Sequence, residues 1–167
     1  VAYTLSTTEA FPEVVVLVIG ESSTRNAWHW FNAQAPMTTK NLEARVAQGD
    51  YLFNFRETLA LTTSTRQAVP SMLTAQPLVW PDGAPNPRPT RSIVSVAGQA
   101  GYGTAWLSNQ AAIGMHDGII ASYAREAAVT VFLNPSDFSA QGSLDEVLLP
   151  ALSNQLKKNR KIFVVLH

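Results

Sequence analysis

The sequence predicts an α/β fold in which a mostly parallel central sheet is flanked by helices. Residues 14–19 (VVVLVI) and 162–166 (IFVVL) are continuous runs of β-branched and aliphatic residues. Such runs are typical of parallel strands that are buried on both faces, so both are predicted to be central strands. Helical segments lie between the strand candidates, and this alternation is typical of a parallel sheet.

Three shorter segments complete the predicted strands. They are residues 52–55, residues 104–107 after a glycine-rich turn, and residues 129–133. Ser108, Asn109 and Gln110 are therefore expected to follow the third strand of the chain.

Four segments have the apolar spacing and end signals of helices. Residues 39–48 stop before a glycine, and a helix within residues 67–74 is expected to start near Gln67 or Ala68 because of Pro70. Residues 93–100 follow Thr90 and Ser92, either of which could cap them. A last helix is predicted to open at Ser143, with Glu146 three residues later completing a capping box.

Composition narrows the class of protein. The chain has 167 residues, of which 46% are hydrophobic and 14% charged, which is typical of one globular domain. The net charge of zero gives no bulk attraction to nucleic acid. The absence of cysteine excludes a disulfide scaffold and a thiolate metal site. Residues 1–12 are predicted to be a linker or N-terminal extension, and the proline-rich residues 77–90 a surface loop.

The two ends of the chain suggest a piece of a longer protein. The sequence begins with Val1 rather than Met, and it stops on the apolar strand that ends at His167. No apolar run reaches the roughly 20 residues that a membrane helix needs. An upstream membrane anchor is therefore neither visible nor excluded.

Polar residues follow several predicted strands. Glu21 comes directly after the first apolar run, His167 ends the last one, and the Ser108–Asn109–Gln110 segment follows another. In open α/β sheets ligands bind at the carboxyl ends of the strands. These residues are therefore candidates for one site, although a single glutamate after a strand is more often a loop residue or a helix cap.

The Ser/Thr-rich segment of residues 62–67 leads into a predicted helix and suggests a hydroxyl nucleophile. Such residues are also simply good helix caps. A helix start favours phosphate, but a threonine hydroxyl needs a base or a metal to attack. Zinc lowers the pKa of bound water from about 16 to about 7, and an alcohol should respond in the same way. Thr65 is thus a plausible nucleophile only beside a cation, for which Glu21 is the nearest plausible anchor.

Five segments in order carry a family resemblance. They are VVVLVIGESSTR (14–25), MTTKNLEAR (37–45), TTSTRQAVPSMLT (62–74), AGYGTAWLSNQ (100–110) and KIFVVLH (161–167). Together they resemble the phosphoethanolamine transferases of the alkaline phosphatase and sulfatase superfamily. The resemblance implies that residues 1–167 are the N-terminal part of a sulfatase-like periplasmic catalytic domain.

The resemblance also implies roles for single residues. Thr65 matches the nucleophile, which also contacts zinc, and Glu21 matches the acidic zinc ligand. Thr63 and Asn109 match positions near the phosphate. His167 matches the first histidine of the family's histidine motif, which binds substrate or a second metal.

The other two histidines are judged from their neighbours. His116 precedes Asp117 and Gly118 in a predicted loop and is a candidate substrate contact. His29 lies between two tryptophans and is expected to be a packed or surface aromatic residue.

The implied reaction is a zinc-dependent, two-step transfer of phosphoethanolamine. Phosphatidylethanolamine would be the donor, Thr65 would carry the group, and a cell-envelope glycan or lipopolysaccharide would accept it. The implied location is the bacterial inner membrane with the catalytic domain in the periplasm. The family's remaining zinc ligands lie beyond the last strand, so this chain is expected to bind zinc weakly and to be inactive by itself. Its lack of cysteine favours acceptors other than lipid A, such as periplasmic glucans or core sugars.

Two kinds of alternative stay open. The same fold carries sulfatases, phosphodiesterases and phosphoglycerol transferases, although the segment from Thr65 to Pro70 lacks the usual sulfatase nucleophile motif. A non-catalytic relative that binds envelope glycan or lipid is the second.

Overall fold

The computed structural model describes residues 12–21, 23–53, 55, 57–60, 62–74, 82–84, 91–112, 118–134 and 144–167. His116, Ser143 and most of the proline-rich stretch 77–90 lie outside these residues. The chain divides into two compact units. One contains Val1–Ile19 and Leu61–His167, and the other is Gly20–Ala60.

The first unit is built on a parallel sheet, as predicted. In the described part of the chain the sheet has four strands in the order β1-β4-β2-β3, and every neighbouring pair is parallel. The strands are β1 (Val14–Val18), β2 (Gly103–Ala111), β3 (Val129–Asn134) and β4 (Ile162–Leu166).

Five α-helices lie in the described residues. They are α1 (Lys40–Ala47), α2 (Thr65–Leu73), α3 (Ile93–Gln99), α4 (Gly118–Ala124) and α5 (Leu148–Lys158), with 3₁₀ turns at Arg25–Ala27 and Asp145–Val147. The helix α4 was not predicted, because its sequence is apolar all round and shows no clear cap. None of the described helices is long and apolar enough to span a bilayer.

The core lies on both faces of the sheet, because side chains of β4 alternate between two clusters. Phe163 and Val165 join Trp106 of β2 and the helices α2, α3 and α4 on one face. Ile162 and Val164 face the other way and pack with α5. The strand β4 is therefore a central strand buried on both faces, as its sequence predicted.

The prediction that β1 is also central is wrong for the described part of the chain. The strand lies at the edge of the sheet and pairs with β4. Val15 and Leu17 pack against the first cluster, but Val14, Val16 and Val18 are exposed. In the described part of the chain α5 packs on β2 and β4, and β1 contributes no residue to that cluster.

Three other boundaries are corrected. The described residues of 52–55 form no strand, and Phe53 and Phe55 are strongly exposed. The strand β2 continues to Ala111, so residues 108–110 belong to it rather than follow it. The helix α2 begins at Thr65, because Pro70 removes only its own N–H from the helical pattern and leaves the first turn intact.

The cap of α3 is linked to the segment just after α4. Ser92 is the N-cap, and its hydroxyl accepts from Val94 N–H, which confirms the predicted cap. The Ser92 hydroxyl and backbone N–H both donate to the carboxylate of Glu126, at 2.6 and 3.1 Å. Burial, with a smaller contribution from the charge of Glu126, raises the pKa of Tyr123.

The second unit, Gly20–Ala60, has much less buried surface. Thr39 is buried at the start of α1, where its hydroxyl donates to the carboxylate of Glu43. His29 is half-buried, with Nδ1 3.1 Å from the carbonyl oxygen of Ala35. This fits the expectation that His29 is a packed residue.

Candidate active site

The carboxyl ends of three strands meet at one edge of the sheet. The hydrogen-bond ladder continues past β4, since His167 N–H donates to Leu107 C=O at 2.9 Å and Asn109 N–H donates to His167 C=O at 2.7 Å. On the other side, Ile19 N–H donates to Leu166 C=O at 2.8 Å. Both the N–H and the C=O of His167 are therefore bonded to β2.

A buried polar pair lies at this edge. Ser108 Oγ is 3.0 Å from His167 Nδ1, and the Ser108 hydroxyl also accepts from Gln110 N–H at 3.0 Å. Ser108 is fully buried and His167 is 7% exposed. The ring centroids of His167 and Trp106 are 5.6 Å apart at an angle of 52°. The expectation that residues 108–110 and His167 share one edge is confirmed.

A β-bulge turns the end of β2. Ser108 pairs with Phe132 and Ala111 with Asn134, so β2 has one more residue than β3 between these pairs. Bulges of this kind re-aim side chains and are common beside active sites. Here Asn109 is half-buried, and its Nδ2 donates to Asp145 Oδ1 at 3.0 Å.

Thr65 is the first residue of α2, and its side chain is half-buried. The preceding Ser64 is extended, and its side chain caps no backbone group. The first N–H groups to donate within the helix are those of Gln67 and Ala68, both to the Ser64 carbonyl. The N–H groups of Thr65 and Arg66 thus precede the first helical hydrogen bond, as at any helix start.

Apolar contacts fix α2 on the sheet. Val69 and Leu73 are buried in the cluster that contains Trp106 and Val165. Side chains two residues apart in a strand share a face, so Ser108 lies on the same face as Trp106, and His167 on the same face as Val165. Thr63 is exposed, two residues before the helix.

Glu21 belongs to the second unit and is half-buried there. His116 lies outside the described residues. The structure therefore brings together Asn109 and His167 among the predicted site residues, and it places Thr65 at a helix start.

Zinc requires more ligands than the predicted residues provide. A carboxylate oxygen and a hydroxyl oxygen suit zinc in kind, but a protein site normally has three or four ligands. Among the described residues no group of three or more His, Cys, Asp or Glu side chains could hold a metal ion. The described residues therefore supply at most part of a zinc site.

Two residues of this edge were missed as site residues. Ser108 was noted as a strand-end residue but given no role, and Asp145 was not singled out. Their partners are 59 and 36 residues away in the sequence. No local pattern reports such contacts, so the sequence offered no signal for them.

The fold and this edge define the class of protein. It is an α/β domain whose helices cover both faces of a parallel sheet and whose polar residues gather at the carboxyl edge, which is where such folds bind ligands. The sulfatase family matches residues 13–167, and the chain belongs to that family.

Individual relatives agree with this assignment. The chain is 31% identical to the phosphoethanolamine transferase OpgE of Escherichia coli over 163 residues, which is 93% of this chain and 28% of that protein. The curated relatives that it matches are much longer, since the chain spans 28–30% of their length.

Solved structures share the fold. The C-terminal periplasmic domain of EcEptC from Escherichia coli, in complex with Zn, superposes with a TM-score of 0.79 at 22% identity, over 95% of this chain and 44% of that one. The soluble domain of lipooligosaccharide phosphoethanolamine transferase A from Neisseria meningitidis gives 0.66 at 25% identity, over 92% and 43%. The resemblance stated from the sequence is thereby confirmed.

Proposed function

We propose that this chain is part of an enzyme that transfers phosphoethanolamine from phosphatidylethanolamine to a cell-envelope glycan or lipopolysaccharide. The observation that carries the proposal is the position of Thr65 at the first residue of α2. A hydroxyl at a helix start faces N–H groups and the positive end of the helix dipole, both of which favour a phosphoryl group.

The reaction would proceed in two steps at Thr65. Its hydroxyl loses its proton and its oxygen attacks the phosphorus of the donor; the P–O bond to diacylglycerol breaks, and the departing oxygen takes up a proton. The acceptor hydroxyl then attacks the phosphorus of the phospho-threonine, and the Thr65 oxygen leaves as the acceptor loses its proton. Glu21 and Thr65 would contribute ligands to a zinc ion, which favours the ionised form of the hydroxyl when it is bound.

Other residues would bind substrate around this centre. Thr63, Asn109, His167 and His116 are the candidates. The bond from Asn109 Nδ2 to Asp145 supports a fixed orientation for its amide, and the ladder around His167 supports a fixed position for its backbone. The names of similar proteins support phosphoethanolamine as the group transferred and a periplasmic location.

The test is to trap the covalent intermediate. Protein expressed from its complete reading frame is incubated with phosphatidylethanolamine, and its peptides are analysed by mass spectrometry. We expect a phosphoethanolamine adduct on Thr65 that is absent in Thr65→Ala and retained, in smaller amount, in Thr65→Ser. Transfer by Thr65→Ala should fall by at least about 100-fold, since the nucleophile is lost.

A matched control lies on the same helix. The Ser71 hydroxyl donates to the Gln67 carbonyl at 2.7 Å and has no assigned role, so Ser71→Ala should retain both adduct and transfer. An adduct that persists in Thr65→Ala would refute the proposal. Release of sulfate from a sulfate ester, with no adduct from the lipid, would favour the sulfatase alternative instead.

A further inference from the structure

The outer surface of β1 is apolar and exposed. Val14, Val16 and Val18 point to the same face of the sheet and are 47%, 39% and 68% exposed. We propose that this surface, Val14–Val18, is an internal interface of the complete catalytic domain. A further strand pairs with the outer edge of β1 and an apolar element packs on its outer face, both from the part of the same polypeptide that residues 1–167 do not include. The inference does not depend on the proposed activity.

The backbone groups of β1 alternate between its two edges. Ile19 N–H donates to Leu166 C=O at 2.8 Å, and Glu13 C=O accepts from Ile162 N–H at 2.8 Å. The odd-numbered residues from 13 to 19 therefore direct their N–H and C=O groups toward β4, and the even-numbered residues direct theirs to the opposite edge. Among the described residues no strand pairs with that opposite edge. It thus offers the row of donors and acceptors that a further strand needs.

The same even-numbered residues carry the exposed side chains. Their partners in register on β4 are Ile162, Val164 and Leu166, which lie in the apolar cluster that includes residues of α5. Neighbouring strands lie about 5 Å apart. An apolar layer that is buried at β4 therefore continues onto β1, where it is exposed in the described part of the chain.

The sequence of β1 lacks the features that protect the edge of a sheet. Natural edge strands carry charged residues, prolines or bulges that prevent another strand from pairing. The strand β1 is VVVLV, five consecutive aliphatic residues in regular register with β4. Parallel sheets, moreover, have both faces covered in known folds. Sequence and surface together indicate a strand that is suited to the interior of a sheet.

The size of the similar domains indicates what covers β1. The chain matches 44% of the EcEptC periplasmic domain and 43% of the soluble domain from Neisseria meningitidis. More than half of each similar domain thus lies outside the matched part and is available to pack against it. A segment of the same polypeptide is present at a high effective concentration, on the order of millimolar, which favours it over a second copy of the protein.

The first experiment measures backbone pairing by hydrogen exchange. Protein from the complete reading frame is transferred to heavy water and analysed at single-residue resolution by mass spectrometry. The N–H groups of Val15 and Leu17 point to β4 and serve as the paired control. We expect the N–H groups of Val16 and Val18 to exchange as slowly as these. Exchange at Val16 and Val18 that is about 100-fold faster than at Val15 and Leu17 would show a free edge and overturn the proposal.

The second experiment measures how well the side-chain face is covered. Residues 1–167 contain no cysteine, so Val16→Cys adds one thiol to them, and wild-type protein labelled in parallel gives the background from the rest of the polypeptide. We expect this thiol to react with a maleimide at least about tenfold more slowly in the folded protein than in urea. Val164→Cys is the matched control at a fully buried position and should be protected to a similar extent. Equal reactivity of Val16→Cys in folded and denatured protein would contradict the proposal.

The remaining outcomes separate the possible occupants of this surface. Protection of Val16 that persists in dilute, monomeric protein supports cover by the same polypeptide. Protection that appears only where the protein dimerises would assign the surface to a second copy, and protection that is lost when lipid is removed would assign it to the membrane. Either result overturns the proposal. Protected but inactive protein supports it and counts against the proposed function alone. Because the exchange measurement uses wild-type protein, it still decides if Val16→Cys fails to fold.

Discussion

The strands β1 and β4 have nearly the same kind of sequence but opposite environments. Both are runs of aliphatic and β-branched residues, and they are neighbours in the sheet, with Val16 paired to Val164. Val164 is completely buried, whereas Val16 is 39% exposed. The two valines point to the same face, because residues in register in parallel strands share a face.

The difference comes from what lies beyond each strand. In the described part of the chain β4 has neighbours on both sides and α5 across one face, while β1 pairs with β4 alone. A run of apolar residues thus specifies a strand and favours the interior of a parallel sheet. It does not specify which strand will have a helix over it, since that depends on contacts far away in sequence.

The strongest test of this difference is the same substitution at the two paired positions. Val164→Thr should lower the free energy of unfolding by about 2 kcal/mol, because it places a hydroxyl in a fully buried site without a partner. Val16→Thr should change it by less than about 0.5 kcal/mol, as expected for an exposed position. Urea unfolding of the 167-residue chain measures both.

Equal losses at the two sites would contradict the difference in environment. They would mean that the outer face of β1 is as dry as the core. A small loss at Val164 would show instead that its surroundings can supply a hydrogen bond to the new hydroxyl.

Much of the fold was predictable because its signals are local. The end of α3 and its cap at Ser92, the burial of β4, and the parallel sheet all followed from apolar spacing and capping residues. The strand predicted within residues 52–55 was wrong, since its aromatic residues favour a strand but no partner strand pairs with it in the described residues.

The candidate site was predictable only in outline. Strand ends indicated that residues 108–110 and His167 would share an edge, and the helix-start pattern indicated Thr65. The contacts that orient these groups, Ser108 to His167 and Asn109 to Asp145, join distant segments. They depend on strand order and on a bulge, and a local sequence pattern specifies neither of these.

A second pair of substitutions, both from glycine to alanine, compares the interior of the sheet with its edge. A Cβ at Gly103, the first residue of β2, would lie 2.8 Å from Asn159 Oδ1 and 3.5 Å from Lys161 O. The Asn159 side chain would have to move, at the expense of its bond to the Gln155 carbonyl. Gly103→Ala should therefore cost about 1 kcal/mol, the usual value of one hydrogen bond.

The matched change is Gly20→Ala, just after β1. A Cβ there meets no atom of the described residues within 4 Å, and its backbone does not require a glycine. We expect a change between zero and a gain of about 0.5 kcal/mol, because alanine restricts the unfolded chain. The comparison would fail if Gly20→Ala were the more damaging of the two in the same urea titration.

The smallest expected effect concerns how β1 is attached at its start. Arg160 Nε and Glu13 Oε1 form an ion pair at 2.9 Å, but both side chains are largely exposed. The backbone bond from Ile162 N–H to Glu13 C=O, at 2.8 Å, joins the same two segments and does not depend on charge. Arg160→Ala should therefore cost less than about 0.5 kcal/mol, and the difference should shrink further in high salt. A cost above about 1 kcal/mol that vanishes in salt would thus show that charge, rather than the backbone ladder, holds β1 against β4.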